Sequence, residues 1–219
     1  MTLSLYAHPF SSYCQKALIA LYENATPFAF KMLSPDTPEN FAALKRLWPV
    51  AKFPLLDDGG FPVFEATSII EHLALRHPGP VRLIPDDAGA ALEVRRMDRV
   101  FDNYVMTPMN WIVHDARRAP AERNPLGVAE GRVLLDTVYR WLEGRMAGRQ
   151  WCCGDAFSLA DCAAAPSLFY ADWAHPISAG FAHLRAYRAR LLARPSIARA
   201  VEEARPYRKL FPPGAPDRD

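Results

Sequence analysis

The sequence predicts an α/β unit of order βαβαββα followed by an all-helical domain, and three observations predict it. Up to residue 77, short apolar runs alternate with stretches whose apolar residues recur every three or four positions, the periods of strands and of one-sided helices. From Ala88 onward strand patterns give way to helix patterns. Between the two, residues 78–88 carry three prolines and read as a linker. The implied boundaries are 1–77 for the α/β domain, 78–88 for the linker and 89–219 for the helical domain.

Each element has its own signal. Leu3 to Tyr6 open the chain as a short strand, and Phe10, Tyr13, Cys14, Ala17, Leu18 and Leu21 then mark a helix packed on one face. Pro27 to Leu33 give a second strand, and Pro38 to Leu47 a short helix. Phe53 to Leu56 and Phe61 to Phe64 read as strands joined by the hairpin turn Asp57-Asp58-Gly59-Gly60. Glu65 to His77 form a helix that Pro78-Gly79-Pro80 ends. In the second half Met97, Val100, Phe101, Tyr104 and Val105 make one apolar stripe, and Leu134, Val138, Trp141 and Leu142 another. Ser158 with Asp161 has the form of a helix capping box, with Phe157 and Cys162 spaced as its hydrophobic staple, and both polar residues read as structural.

Bulk properties remove several function classes. A chain of 219 residues is long enough for a sizeable core, and 50% apolar with 23% charged residues is ordinary for a soluble globular protein. The net charge is only +2, with no basic, aromatic-interleaved segment of the kind that binds nucleic acid. No apolar run approaches a membrane span, and the first residues lack the pattern of a signal peptide. Four cysteines, Cys152 and Cys153 adjacent, make a poor disulfide framework. The expected compartment is the cytoplasm, and no metal site is assigned.

Chemistry enters at Phe10-Ser11-Ser12-Tyr13-Cys14, where the first strand feeds the first helix. This is the spacing of a C-x-x-C redox dithiol with serine in place of the first cysteine. At such a helix N-terminus, free backbone N–H groups and the helix dipole stabilise a thiolate. With Ser11 in the nucleophile's position, disulfide exchange loses its attacking sulfur but the anion site survives. The natural anion is then a thiolate brought by a ligand. Ser11 is the first candidate donor to that sulfur and Ser12 the second; the competing reading of Ser11 is a plain helix cap. Tyr6, inside an apolar strand, reads as core, and Cys14 as a buried small hydrophobe. On the long helix of the second half, Tyr104, Met106, Asn110, Trp111 and His114 are candidates for a second pocket or, alternatively, for core.

With two further motifs in view the chain resembles the cytosolic glutathione transferase family over nearly its whole length. One is Trp48-Pro49-Val50-Ala51-Lys52-Phe53-Pro54-Leu55-Leu56 followed by Phe64-Glu65-Ala66-Thr67-Ser68-Ile69-Ile70; the other is Gly154 to Asp161. The entrance Ser11-Ser12-Tyr13 is similar to the serine-type zeta and tau classes. The resemblance implies a thioredoxin-like first domain, glutathione as cosubstrate, no metal and a homodimer. It implies that Ser11 ionises the thiol, that Lys52 faces the glycyl carboxylate, and that Phe53, before a cis-proline, pairs with the cysteinyl part. Glu65 and Ala66 would meet the γ-glutamyl end. Ala66 departs from the family's serine and removes a hydroxyl, for which Thr67 is the candidate substitute. Phe10, Met106, Asn110, Trp111 and His114 are expected around a small, largely apolar electrophile. A glutathione-dependent isomerase and a non-catalytic binding or dimerisation module of the same fold are the alternatives.

Overall fold

A computed structural model describes residues 2–219. Its sheet comprises β1 (Leu3–Ala7), β2 (Phe28–Met32), β3 (Leu55–Asp58) and β4 (Phe61–Phe64) in the order β2-β1-β3-β4. β1 and β2 run parallel with Leu5 opposite Phe30, as a strand–helix–strand crossover requires. β3 is antiparallel to both β1 and β4. The β3–β4 turn uses Gly59 and Gly60 at φ 62° and 97°, conformations that the missing Cβ permits, and the Gly60 N–H donates to Asp57 Oδ1 at 2.8 Å.

The pleat of β1 serves two cores. Leu3, Leu5 and Ala7 pack with Cys14, Ala17 and Leu18 of α1 (Ser12–Glu23) and with Ile69 of α3 (Ala66–Arg76). Tyr6 points the other way, to Leu44 of α2 (Pro38–Leu47). α1 is buried on its far side as well, because Ile19 and Ala20 join the core of the helical half.

That half comprises α4 (Ala88–Val100), α5 (Thr107–Ala116), α6 (Pro125–Met146), α7 (Leu159–Ala174), α8 (Ala182–Leu192) and α9 (Pro195–Ala204). A π-helical turn, Phe101–Met106, joins α4 to α5 without a break. Helix α7 is apolar nearly all round and lies at the centre, buried from Leu159 to Trp173. Its start is pinned by Asp161, which accepts bonds from Ser158 N (2.9 Å), Ser158 Oγ (3.0 Å), Cys152 N (2.9 Å) and the Tyr187 hydroxyl (2.6 Å). Burial pushes that carboxyl's pKa up and these bonds oppose the shift.

Polar links also fasten α1 to the helical half, two of them at its ends. Gln15 Nε2 donates to the Tyr170 hydroxyl at 3.0 Å, and that hydroxyl donates to the Phe10 carbonyl at 2.9 Å. Arg194 grips Glu23 through two bonds of 2.7 and 2.5 Å. No helix among the described residues is long and apolar enough to cross a membrane.

Candidate functional site

Where β1 hands over to α1, the chain borders a cleft of about 930 Å³. One wall is the α/β unit, presenting Ser11, Ser12, Tyr13, Lys52, Phe53, Glu65 and Ala66. The other is the π turn and α5, presenting Asp102, Asn103, Met109, Asn110, Val113 and His114.

Ser11 immediately precedes α1 in extended conformation, φ −80° and ψ 125°. Its N–H donates to the His8 carbonyl at 3.0 Å and its own carbonyl accepts from Gln15 N at 2.9 Å. The hydroxyl makes no capping bond to the first turn of α1. It reaches instead toward the Cys14 thiol, whose pKa burial pushes up to about 12 against the opposing effect of that contact. Cys14 is therefore a protonated, fully buried thiol at neutral pH. The cap reading of Ser11 describes its backbone position, and the residue borders the cleft. Ser12 is the first residue of α1 and lies on the same wall. Tyr13, read from sequence as part of an apolar stripe and of the entrance motif but given no role of its own, also borders the cleft. Burial raises its phenol to about 12, with the charges of Asp102 and Glu65 adding to the shift.

The loops on this wall carry the unusual backbone. The Phe53–Pro54 peptide bond is cis. Ala51 and Glu65 have φ of 56° and 68°, which L-residues seldom adopt, and Glu65 holds its strain immediately before α3. Ala66 opens α3 with its methyl 5% exposed. Thr67 is committed elsewhere: its hydroxyl donates to Asp98 Oδ2 at 2.9 Å and accepts from Lys16 Nζ at 2.9 Å and from Arg99. It does not replace the missing serine hydroxyl.

Across the cleft the expected pocket residues divide. Phe10, Asn110 and His114 border it, Phe10 with its ring edge-on to Tyr170 at 5.4 Å. Met106 is 1% exposed and packs into the helical core. Trp111 lies on the outer face of α5, beside Asn124 and Val128 of a separate groove. Both were candidates for the pocket or for core; the structure puts Met106 in the core and Trp111 away from the cleft. Met106 ends the π turn, whose i→i+5 bond from Thr107 N to the Asp102 carbonyl changes the helical phase, and Trp111 is a quarter-turn round from Asn110. Burial lowers the His114 pKa, and the charges of Arg117, Lys52 and Arg118 lower it further, so the ring is neutral at neutral pH. Met109, Val113 and Arg117 share the face of Asn110 and His114 at helical spacing and were legible in principle. Phe211, ambiguous between pocket and core in the sequence, borders the cleft; Tyr170, Leu210 and Pro212 had no sequence signal, and only the fold brings them there.

Residues 5–81 match the family model for the glutathione S-transferase N-terminal domain, and residues 125–190 the model for its C-terminal domain. The sheet and its helices are thus the thioredoxin-like half of a glutathione transferase fold, and the helices beyond them the all-helical half. The chain belongs to the glutathione S-transferase family. It is 26% identical over 193 residues to glutathione S-transferase theta-1 of Bos taurus, covering 82% of this chain and 75% of that protein. A solved glutathione S-transferase from Methylobacterium radiotolerans, in complex with glutathione sulfonate, is 28% identical with a TM-score of 0.79, over 92% of this chain and 95% of that one. Another, from Methylobacillus flagellatus with glutathione bound, is similar in fold at a TM-score of 0.79 and 22% identity, over 91% and 98% of the two chains.

Proposed function

We propose that this protein is a serine-type glutathione transferase in which Ser11 stabilises the glutathione thiolate. The observation that carries the reading is the Ser11 hydroxyl itself: at the cleft, at the start of α1, and not used as a cap. A thiol near the reference cysteine pKa of roughly 8.5 is only a few per cent ionised at neutral pH. Lowering it by two units takes about 2.7 kcal/mol, within reach of one charge-assisted hydrogen bond plus the α1 dipole. Around that sulfur, Lys52 takes the glycyl carboxylate and the Phe53 backbone the cysteinyl amide. Glu65 takes the γ-glutamyl ammonium, and the first amides of α3, beginning at Ala66, take its carboxylate. The thiolate then attacks a small, largely apolar electrophile held between Phe10, Met109 and Val113, with Asn110 and His114 as the polar groups of that wall. A carbon–sulfur bond forms and the leaving group departs with its electron pair. The same reading makes the protein a homodimer.

One observation favours a non-catalytic module of the same fold. Ala66 offers a methyl where a hydroxyl would bind the γ-glutamyl end, and Thr67 is engaged in another network. The experiment that separates the readings follows bound-thiolate absorbance against pH in the wild type and in Ser11→Ala. We expect the wild-type thiol to titrate below its free value and Ser11→Ala to move it up by about one to two units, the worth of a hydrogen bond to a charged group. Turnover with a panel of aryl halides, activated alkenes and epoxides should fall in parallel. An unshifted titration in Ser11→Ala, with a shifted one in Ser12→Ala or Tyr13→Phe, reassigns the donor. Absence of both glutathione binding and turnover favours the module.

A further inference from the structure

Away from the cleft, three side chains from two elements converge on one point. Asp58 ends β3, His72 lies on the last two turns of α3, and His77 follows that helix directly. The Nε2 atoms of both histidines lie 2.8 Å from the same oxygen, Asp58 Oδ2. The three candidate ligand atoms are all within 4.8 Å of one another. None of these residues borders the cleft.

We propose that Asp58, His72 and His77 form a site for a divalent cation of the zinc class, tying the C-terminal end of α3 to β3. Two imidazoles and one carboxylate are the donor set of a borderline transition metal, whereas magnesium and calcium prefer oxygen alone. As hydrogen-bonded groups, both rings must carry their hydrogen on Nε2 and share a single acceptor. On metal binding each neutral ring moves that hydrogen to Nδ1 and turns its Nε2 lone pair on the cation, so the neutral rings lose no proton.

The geometry needs only side-chain adjustment. Metal–ligand distances of about 2.0–2.2 Å in a tetrahedron set ligand atoms about 3.3 Å apart, so the two short N···O edges open by about half an ångström. The side chains have that freedom, at 17% exposure for Asp58, 14% for His72 and 31% for His77. The Phe61 ring stacks on His72 at 5.8 Å and holds it facing the carboxylate. Three protein ligands leave the remaining coordination to water, and a cation at the end of α3 is favoured by the helix dipole. α3 begins at Ala66 on the cleft, so the metal would brace the far end of the helix whose first turn serves the ligand site.

The test uses the full chain without a polyhistidine tag, stripped of metal and free of glutathione, whose thiol itself binds zinc. Zinc is titrated by calorimetry and cobalt(II) by its visible d–d absorption. The expected result is one zinc per chain, binding weakened at least tenfold in Asp58→Asn and in His72→Gln, and lost in the double variant His72→Gln/His77→Gln. Circular dichroism of the metal-free variants verifies that each is folded, and zinc should raise the melting temperature of the wild type but not of the double variant. Absence of stoichiometric zinc binding in the folded wild type overturns the proposal. So does undiminished binding in the double variant, or a cobalt spectrum with thiolate charge-transfer bands, which would place the metal on cysteine. These readouts are independent of glutathione binding, so the site and the transferase reading stand or fall separately.

Discussion

On the proposed reading, Ala66 sets how well the cleft would hold the γ-glutamyl end of glutathione. Its neighbour Thr67 cannot assist, because Lys16, Asp98 and Arg99 already use its hydroxyl. The backbone amides at the start of α3 remain, without a side-chain donor beside them. Ala66→Ser restores that donor at the cost of one added atom. We expect it to tighten glutathione binding by about 0.5–1.5 kcal/mol, the net worth of one hydrogen bond, or up to about tenfold in Kd by calorimetry. Weaker binding would mean that the methyl packs against the ligand or the wall, and the γ-glutamyl end would then need another place. Lys52→Ala is expected to weaken binding as well, more so at low salt, since this lysine is exposed and its attraction is screened.

At the scale of elements, the start of α7 is pinned by four bonds to Asp161. Asp161→Ala leaves the Ser158 and Cys152 amides and the Tyr187 hydroxyl without their acceptor in a fully buried place. At about 1–3 kcal/mol for each stranded group, the loss should exceed about 3 kcal/mol in urea unfolding, and Asp161→Asn, which keeps one acceptor oxygen, should lose less. A loss under about 1 kcal/mol in the alanine variant would mean that water reaches the site. This capping box was legible in the sequence because its logic is local: a serine, an acid three residues on and flanking apolar residues. The same holds for Pro38–Leu47, whose bounds the structure reproduces, and for the hairpin at Gly59-Gly60. β1 runs one residue past its predicted end because Ala7 pairs with Met32, a contact made between distant residues. The π turn at Phe101–Met106 has no local signature, and the positions of Met106 and Trp111 depend on it. Where a cleft-bordering residue sits at a helix start, as Ser11 and Glu65 do, local pattern and motif placed it. Where it belongs to a surface assembled from several elements, as Tyr170 and Leu210 do, only the packing could.

The whole molecule is held together at the seam that also forms the cleft. Ile19, Ala20 and Ile70 of the α/β unit belong to the core of the helical half, and Leu159 N donates to the Leu83 carbonyl at 2.8 Å where the linker crosses it. At the centre of the seam Lys16 of α1, 1% exposed, lies 2.5 Å from Asp98 and 2.8 Å from Asp102, while half-exposed Arg99 caps the two carboxylates from outside at 2.6 Å each. Burial pushes the Asp102 carboxyl pKa up even with Lys16 beside it, and Asp98 adds to the shift. Lys16→Met keeps the volume but leaves two buried carboxylates with one partly solvated partner. Removing one member of a buried ion pair costs about 3–5 kcal/mol, and the unfolding midpoint in urea should fall accordingly. The sign of the pH effect follows: with the lysine gone, the folded-state pKa of Asp102 lies further above the unfolded one. The deficit should therefore be full at neutral pH and narrow as the pH falls through the raised carboxyl pKa, where protonation relieves the repulsion. Far-UV circular dichroism and tryptophan fluorescence, reporting from Trp48 in the α/β unit and from four tryptophans in the helical half, should give coincident transitions in wild type and variant. Two separated transitions in the wild type would show that the halves fold independently and that the ion cluster does not join them. A pH-independent loss in Lys16→Met would instead assign the lysine's contribution to packing of its stem rather than to charge.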